Sequence, residues 1–239
     1  MKNSLLPADV HHSWSDFLTC ERIRMINDIA EKIGEDVNPD FENILRFLRV
    51  NLDKVKIVIL GQDPYPEKGT ATGRAFEVGG LKSWDQPFRQ VSLKNIIRLI
   101  YKSYNGITEY ECIPPFNEIK KEIKKGKFRI LPPDRLFESW EEQGVLLLNT
   151  SFSCIPNCPE SHAPLWKDFT CQLIDYISEK HELYWFLWGK RALSLKPVIN
   201  RGIFFLSRHP MLCSRKYEDD FLKSCCFAET MHIVNWLGI

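Results

Sequence analysis

Four largely apolar runs, VKIVIL at 55–60, VLLLN at 145–149, LYWFLW at 183–188 and GIFFLS at 202–207, constrain this chain more than any other feature. Runs that are apolar at nearly every position, rather than at every second one, suit strands buried on both faces. The stretches between them, at 92–104, 134–143 and 162–180, carry apolar residues at helical spacing. That alternation predicts an α/β fold: a single domain over residues 1–239 with a central, mostly parallel four-stranded sheet flanked by helices. Two further helical patterns precede the first strand, one from Trp14 to Ile33 with Ser13 or Ser15 as its cap, the other from Phe41 to Val50. In such sheets ligands bind beyond the carboxyl ends of the strands. The loops starting near 61, 149, 188 and 207 are therefore the places to look for chemistry.

Charge excludes one simple mode of binding. With 32 Lys and Arg against 31 Asp and Glu the formal net charge is +1, so a polyanionic partner has to be held by local groups rather than by a globally basic surface. The lysine-rich stretch IKKEIKKGKFR at 119–129, bracketed by Pro114-Pro115 and Pro132-Pro133, reads as a solvated helix face. Eight scattered cysteines without a C-x-x-C pair suit a reducing, cytoplasmic compartment better than a disulfide scaffold or a metal site. No metal or other cofactor is expected. The opening MKNSLLPADVHHSW has no apolar signal core, and no run reaches membrane-spanning length, so no membrane association is expected.

Beyond the first strand stands Gly61-Gln62-Asp63-Pro64-Tyr65-Pro66, where the glycine permits a turn and the prolines limit motion around one carboxylate and one phenol. Taken singly, an Asp-Pro loop is ordinary turn chemistry, Asn149 a strand cap and His209 a structural histidine. Taken in order, these pieces resemble the uracil-DNA glycosylases. The hexapeptide is similar to that family's water-activating motif, and Gly69-Thr70-Ala71-Thr72-Gly73-Arg74-Ala75-Phe76 to its segment ending in a base-stacking phenylalanine. Further matches are the apolar strand ending in Asn149, Ser161-His162 followed by Trp166 and Phe169, Phe186-Leu187-Trp188-Gly189, and Ser207-Arg208-His209-Pro210. The resemblance spans roughly residues 50 to 236 in family order, and that order carries it.

The resemblance implies a cofactor-independent DNA repair enzyme that flips uracil out of single- or double-stranded DNA and hydrolyses its glycosidic bond. It implies Asp63 as the group that activates water and His209 as a donor to uracil O2. Asn149 would pair with uracil O4 and N3–H, a pattern that cytosine reverses. Phe76 would stack on the base, Tyr65 would exclude the C5 methyl of thymine, and Gln62 would join the substrate contacts. Ser92 and Ser214 would contact phosphates, with Leu212 as the wedge that fills the gap left in the duplex. A monomer, open to a proteinaceous inhibitor, is also implied.

Three departures are visible. Met211-Leu212-Cys213-Ser214 stands where the family has serine, proline, leucine and serine, so the family leucine falls at Cys213 without a gap and Leu212 lies one position earlier. Pro66 replaces a histidine, and the proline-rich loop is reduced to residues 86–92. A non-catalytic DNA-binding scaffold and a glycosylase for another damaged base are the competing readings on this fold. An unrelated nucleotide hydrolase lacks both a Walker loop and a metal-binding carboxylate pair.

Overall fold

In the computed structural model, which describes residues 4–180 and 182–239, the four apolar runs become four strands. They are β1 (Ile57–Gly61), β2 (Val145–Asn149), β3 (Tyr184–Trp188) and β4 (Ile203–Ser207). The first three residues of the opening segment lie outside the described residues. The sheet is parallel throughout, in the order β2-β1-β3-β4. Side chains alternate between its faces, as the pleat requires. Ile57, Ile59, Val145, Leu147, Phe186 and Trp188 enter one core, and Val58, Leu60, Leu146, Leu148, Trp185 and Leu187 the other. The expectation of two covered faces is met for β1, β2 and β3. It fails at β4, an edge strand whose Ile203 and Leu206 are 43% and 41% exposed.

Helix α1 (Cys20–Ile33) begins later than the apolar spacing suggests. Thr19, not Ser13 or Ser15, is the cap, accepting from Arg22 N–H. Trp14 and Phe17 sit before the helix in short turns and are fully buried, so their spacing reflects packing into the core rather than a helical face. The second pattern also shortens, to α2 (Phe41–Ile44) followed by a 3-10 turn over Arg46–Arg49. The remaining helices are α3 (Val91–Tyr104), α4 (Phe116–Lys124), α5 (Pro133–Glu142), α6 (Ala163–Lys180), α7 (Lys190–Leu193) and α8 (Cys226–Thr230). The first core is closed by α3, α4, α5 and α8, and the second by α1, α6 and α7. No helix among the described residues is long and apolar enough to cross a membrane.

Candidate active site

From β1 the chain leaves toward β2, and from β3 it leaves the other way, toward β4. A crevice therefore opens between the carboxyl ends of β1 and β3, the usual position of a ligand in such sheets. Gly61 ends β1 opposite Asn149, which ends β2. A Cβ on Gly61 would lie 2.5 Å from Asn149 Oδ1, 3.0 Å from Ala75 Cβ and 3.4 Å from a Phe76 ring carbon. The glycine is thus required for close approach, not for the turn the sequence suggested. The hexapeptide after it is fastened from outside. Thr150 N–H donates to Gly61 O, Ser151 N–H and Thr150 Oγ1 donate to Gln62 O at 3.1 and 2.8 Å, and Asn157 N–H donates to Pro66 O. Buried Asn38 donates from Nδ2 to the carbonyls of Tyr65 and Glu67.

Within this frame Asp63 and Tyr65 carry unspent hydrogen-bonding capacity. Asp63 Oδ2 accepts a long bond of 3.4 Å from Gln62 Nε2, whereas buried Oδ1 has no partner. Burial raises the Asp63 carboxyl above its ordinary range, opposed by the Gln62 amide, which favours the charged form. The Tyr65 hydroxyl is likewise buried without a partner, and burial raises its pKa, so it stays a neutral phenol. Buried polar groups are rarely left unpaired, and here two of them share one short loop.

Phe76 reaches the crevice on a strained backbone, at φ +66°, a conformation uncommon for residues with side chains. Its neighbours hold it there. Arg74 makes a two-pronged pair with Glu141, at 2.6 and 3.0 Å, and binds Glu77 at 3.1 Å, while Thr72 Oγ1 donates to Glu77 at 2.5 Å. Burial works against the Arg74 charge, but Glu141 and Glu77 more than offset it and raise its pKa overall. The Phe76 ring lies 5.4 Å from Trp188 and 5.9 Å from His209.

His209 follows β4, and its ring is fixed from both sides. Gly189, at φ +91°, lets the chain pass so close that a Cβ there would lie 2.9 Å from His209 Cβ. Met211 N–H donates to His209 Nδ1 at 3.2 Å. An Nδ1 that accepts leaves the proton of the neutral ring on Nε2, and burial lowers the His209 pKa, which keeps the ring neutral. Beyond it the loop is anchored at its ends. Arg208 bonds Asp219 and covers the Tyr217 ring at 3.8 Å, and buried Asp220 accepts from Ser214 N–H and Leu222 N–H. Met211 and Leu212 between those anchors are 56% and 54% exposed. Cys213 instead packs against the core and donates to Pro210 O.

The structure thus brings Asn149, Phe76 and His209 together at the carboxyl end of the sheet, with Gln62, Asp63 and Tyr65 on the loop that leaves Gly61 beside them and Leu212 and Ser214 on the His209 loop. Ser92 lies in the first turn of α3 and is only 5% exposed. One turn further, Asn95 Nδ2 donates to Pro210 O at 2.6 Å and ties that helix to the His209 loop. His162 is structural, its Nδ1 hydrogen-bonded to Ser153 Oγ, which also accepts from Trp166. Asn38, Asn95 and the Arg74 cluster escaped the sequence reading. Only Asn95 left a signal there, as an amide on the buried face of an amphipathic helix. Among the described residues no three His, Cys, Asp or Glu side chains are grouped to hold a metal ion.

The family model for the uracil DNA glycosylase superfamily matches residues 48–232. A uracil-DNA glycosylase of Francisella tularensis subsp. tularensis (strain WY96-3418) is 34% identical over 200 residues, covering 82% of this chain and 74% of the relative. Among solved structures, the mimivirus uracil-DNA glycosylase aligns with a TM-score of 0.59 at 25% identity, over 83% of this chain and 68% of that one. A mimivirus UNG variant in complex with UGI aligns with a TM-score of 0.59 at 27% identity, over 88% and 72%. The wild-type UNG of Nitratifractor salsuginis shares the fold at a TM-score of 0.68 and 19% identity, over 95% of this chain and 93% of that one. Because the family match begins before β1, ends beyond β4 and takes in Asp63, Asn149 and His209 on the way, this chain belongs to the uracil DNA glycosylase superfamily.

Proposed function

We propose that this protein excises uracil from DNA with Asp63 and His209 as its catalytic pair. Cleavage of the N1–C1′ bond sends its electron pair to the uracil ring and leaves a cation-like sugar. Negative charge beside the sugar and a donor at the pyrimidine oxygen both stabilise that transition state. Asp63 supplies the first and orients the water whose oxygen bonds to C1′ as the carboxylate accepts its proton. His209 supplies the second through Nε2–H. The observation that carries this reading is the bond from Met211 N–H to His209 Nδ1, which leaves a neutral ring with its donor on the free nitrogen. A neutral donor aimed at developing charge needs no rearrangement when the charge forms.

Asn149 reads uracil O4 and N3–H with one amide, and the loss of both bonds costs cytosine several kcal/mol, on the order of the penalty for unpaired buried groups. Phe76 stacks on the flipped base, Gln62 joins the substrate contacts, and Tyr65 closes the C5 edge against thymine. Ser92 and Ser214 contact phosphates. The wedge is Leu212, because its side chain is free in solvent whereas Cys213 is turned into the core. Since a mimivirus relative was crystallised in complex with UGI, a proteinaceous inhibitor belongs with DNA among the partners assigned to this chain.

The test is incubation with a labelled single-stranded oligonucleotide carrying one uracil, with a chelator present, followed by alkali to cut abasic sites, beside Asp63→Asn. Cleavage by the wild type and loss of about a thousandfold or more in the variant is the expected result, in the range seen when a key transition-state group is removed. Intact substrate from the wild type, single- or double-stranded, overturns the assignment.

A further inference from the structure

Asp63 also borders a cleft that the groups assigned to the base do not line. This cleft of about 520 Å³ has Gln62, Asp63, Glu160, Lys167, Arg191 and Ser194 in a lining that is otherwise mainly apolar. Asn149, Phe76 and His209, the base-facing groups, lie outside its lining. Two segments close over the cleft and are bolted together by one ion pair, Glu160 Oε1 accepting from Arg191 Nε at 2.7 Å and from Nη2 at 2.5 Å. Glu160 comes from the loop after β2 and Arg191 from α7 after β3, so the pair spans the end of β1 where Asp63 sits.

Glu160 is held in an unusual way for so exposed a residue. Its backbone is left-handed at φ +63°, which a glutamate adopts only when surrounding structure imposes it. Its N–H lies close enough to Asp63 to favour the charged carboxylate, its own carboxylate opposes that charge, and Arg191 supports it. Lys167 is the other cation on the wall. Burial pushes the Cys154 thiol up to about 11, with the Asp63 charge adding to the shift, so the thiol stays neutral. Neither proline of the hexapeptide can orient water with its side chain, so orientation beyond Asp63 has to come from backbone groups or neighbouring segments.

We propose that the Glu160–Arg191 ion pair is a positioning element of the hydrolysis: it supplies the charged wall of a cleft through which water reaches Asp63 while DNA covers the base side, and it balances the charge around that carboxylate. The proposal rests on the functional reading above. It predicts that the two halves of the pair act on Asp63 in opposite directions and that the acid limb of the excision rate follows, whereas a salt bridge that only ties the two loops together, beyond electrostatic reach of Asp63, would move neither. Both side chains are substantially exposed, 41% for Glu160 and 58% for Arg191, so single replacements leave the fold intact.

The experiment follows the Asp63 titration by NMR in protein labelled at the aspartate carboxyl carbons, with the resonance assigned by Asp63→Asn. Glu160→Gln should lower the midpoint and Arg191→Gln should raise it, each by about half a unit at low salt, and both shifts should shrink in about 1 M salt. The acid limb of the uracil-excision rate should move with them. Filling the cleft with Ser194→Trp should lower kcat and leave KM for DNA unchanged. Midpoints that stay in place, or move the same way, in an active enzyme overturn the ion-pair assignment. The titration needs no substrate, so failure of the wild type to excise uracil is a separate result that overturns the functional reading instead.

Discussion

The segment carrying Phe76 and the loop carrying Leu212 border the same crevice but are held in different ways. Phe76 is buried, strained and locked by a nearly buried arginine between two glutamates. Leu212 projects into solvent from a loop held by Asp219 and Asp220 at its far end, by Asn95 at Pro210 and by Cys213 against the core, with no comparable hold on the Leu212 side chain itself among the described hydrogen bonds and ion pairs. On the proposed assignment, the surface that meets the base is set before the base arrives, which keeps reorganisation cost out of the chemical step. The side chain proposed as the wedge is largely in solvent, so it can follow the DNA as the base leaves. The contrast teaches where stability has been committed in this fold and where it has been withheld.

Arg74→Met attacks the committed side and should have the largest effect. Removing one partner of a buried ion cluster strands Glu77 and Glu141 and costs about 3–5 kcal/mol. For a chain of this size that is roughly 6–20 °C in Tm. Excision should fall on single- and double-stranded substrates alike, because the base-stacking surface is common to both. A melting curve like that of the wild type would remove the cluster from this account.

Gly189→Ala comes next. An added methyl would meet the His209 backbone and ring, and φ +91° with ψ 166° is a region reserved in practice for glycine. The expected cost is about 1–3 kcal/mol of strain, expressed mainly as a lower kcat because the ring moves off its donor position. A raised KM with kcat intact would show that Gly189 serves DNA binding rather than the placement of His209.

The two regions also differ in how far the sequence disclosed them. Strands β1, β2 and β3 were legible because they are apolar at nearly every position, with Asn149 the polar exception at the end of β2, and that pattern has few solutions. The same apolarity in β4 hid its edge position, since what covers a strand is decided by elements distant in sequence. Asp63, Asn149 and His209 were legible through their order along the chain. The lock on Phe76 was not, because Arg74 and Glu141 are 67 residues apart and each alone reads as a solvated charge. Asn38 was silent for the same reason: its partners lie on a loop 27 and 29 residues away. The early helix boundary failed for a local reason, as Trp14 and Phe17 keep helical spacing while packing from turns.

On the uncommitted side, Leu212→Ala should slow excision from duplex DNA by about tenfold, or ~1.4 kcal/mol, with little change on single strands, where no stack has to be held open. Cys213→Ser should leave that ratio unchanged. If Cys213→Ser, and not Leu212→Ala, lowers the duplex rate selectively, the wedge is the residue now turned inward and the loop must rearrange on DNA.

The smallest expected effect is thermal and concerns Asp63 itself. Burial raises its pKa in the folded state above the ordinary 3.8, so between those two values the native protein holds more protons than the unfolded chain. Stability therefore falls as pH rises through that window, and above it the ionised carboxylate remains a fixed cost to the fold. Asp63→Asn removes the charge, so the variant that abolishes excision should melt slightly higher than the wild type at pH 7. The advantage should disappear as pH falls below the ordinary aspartate range, where both states are protonated. Thermal melts of the two proteins across pH 3 to 7 decide the matter. A variant that melts lower at pH 7 would mean that the bonds from Gln62 and the Glu160 N–H outweigh desolvation, and that the carboxylate belongs with the committed side of the molecule rather than being a strain the fold carries for catalysis.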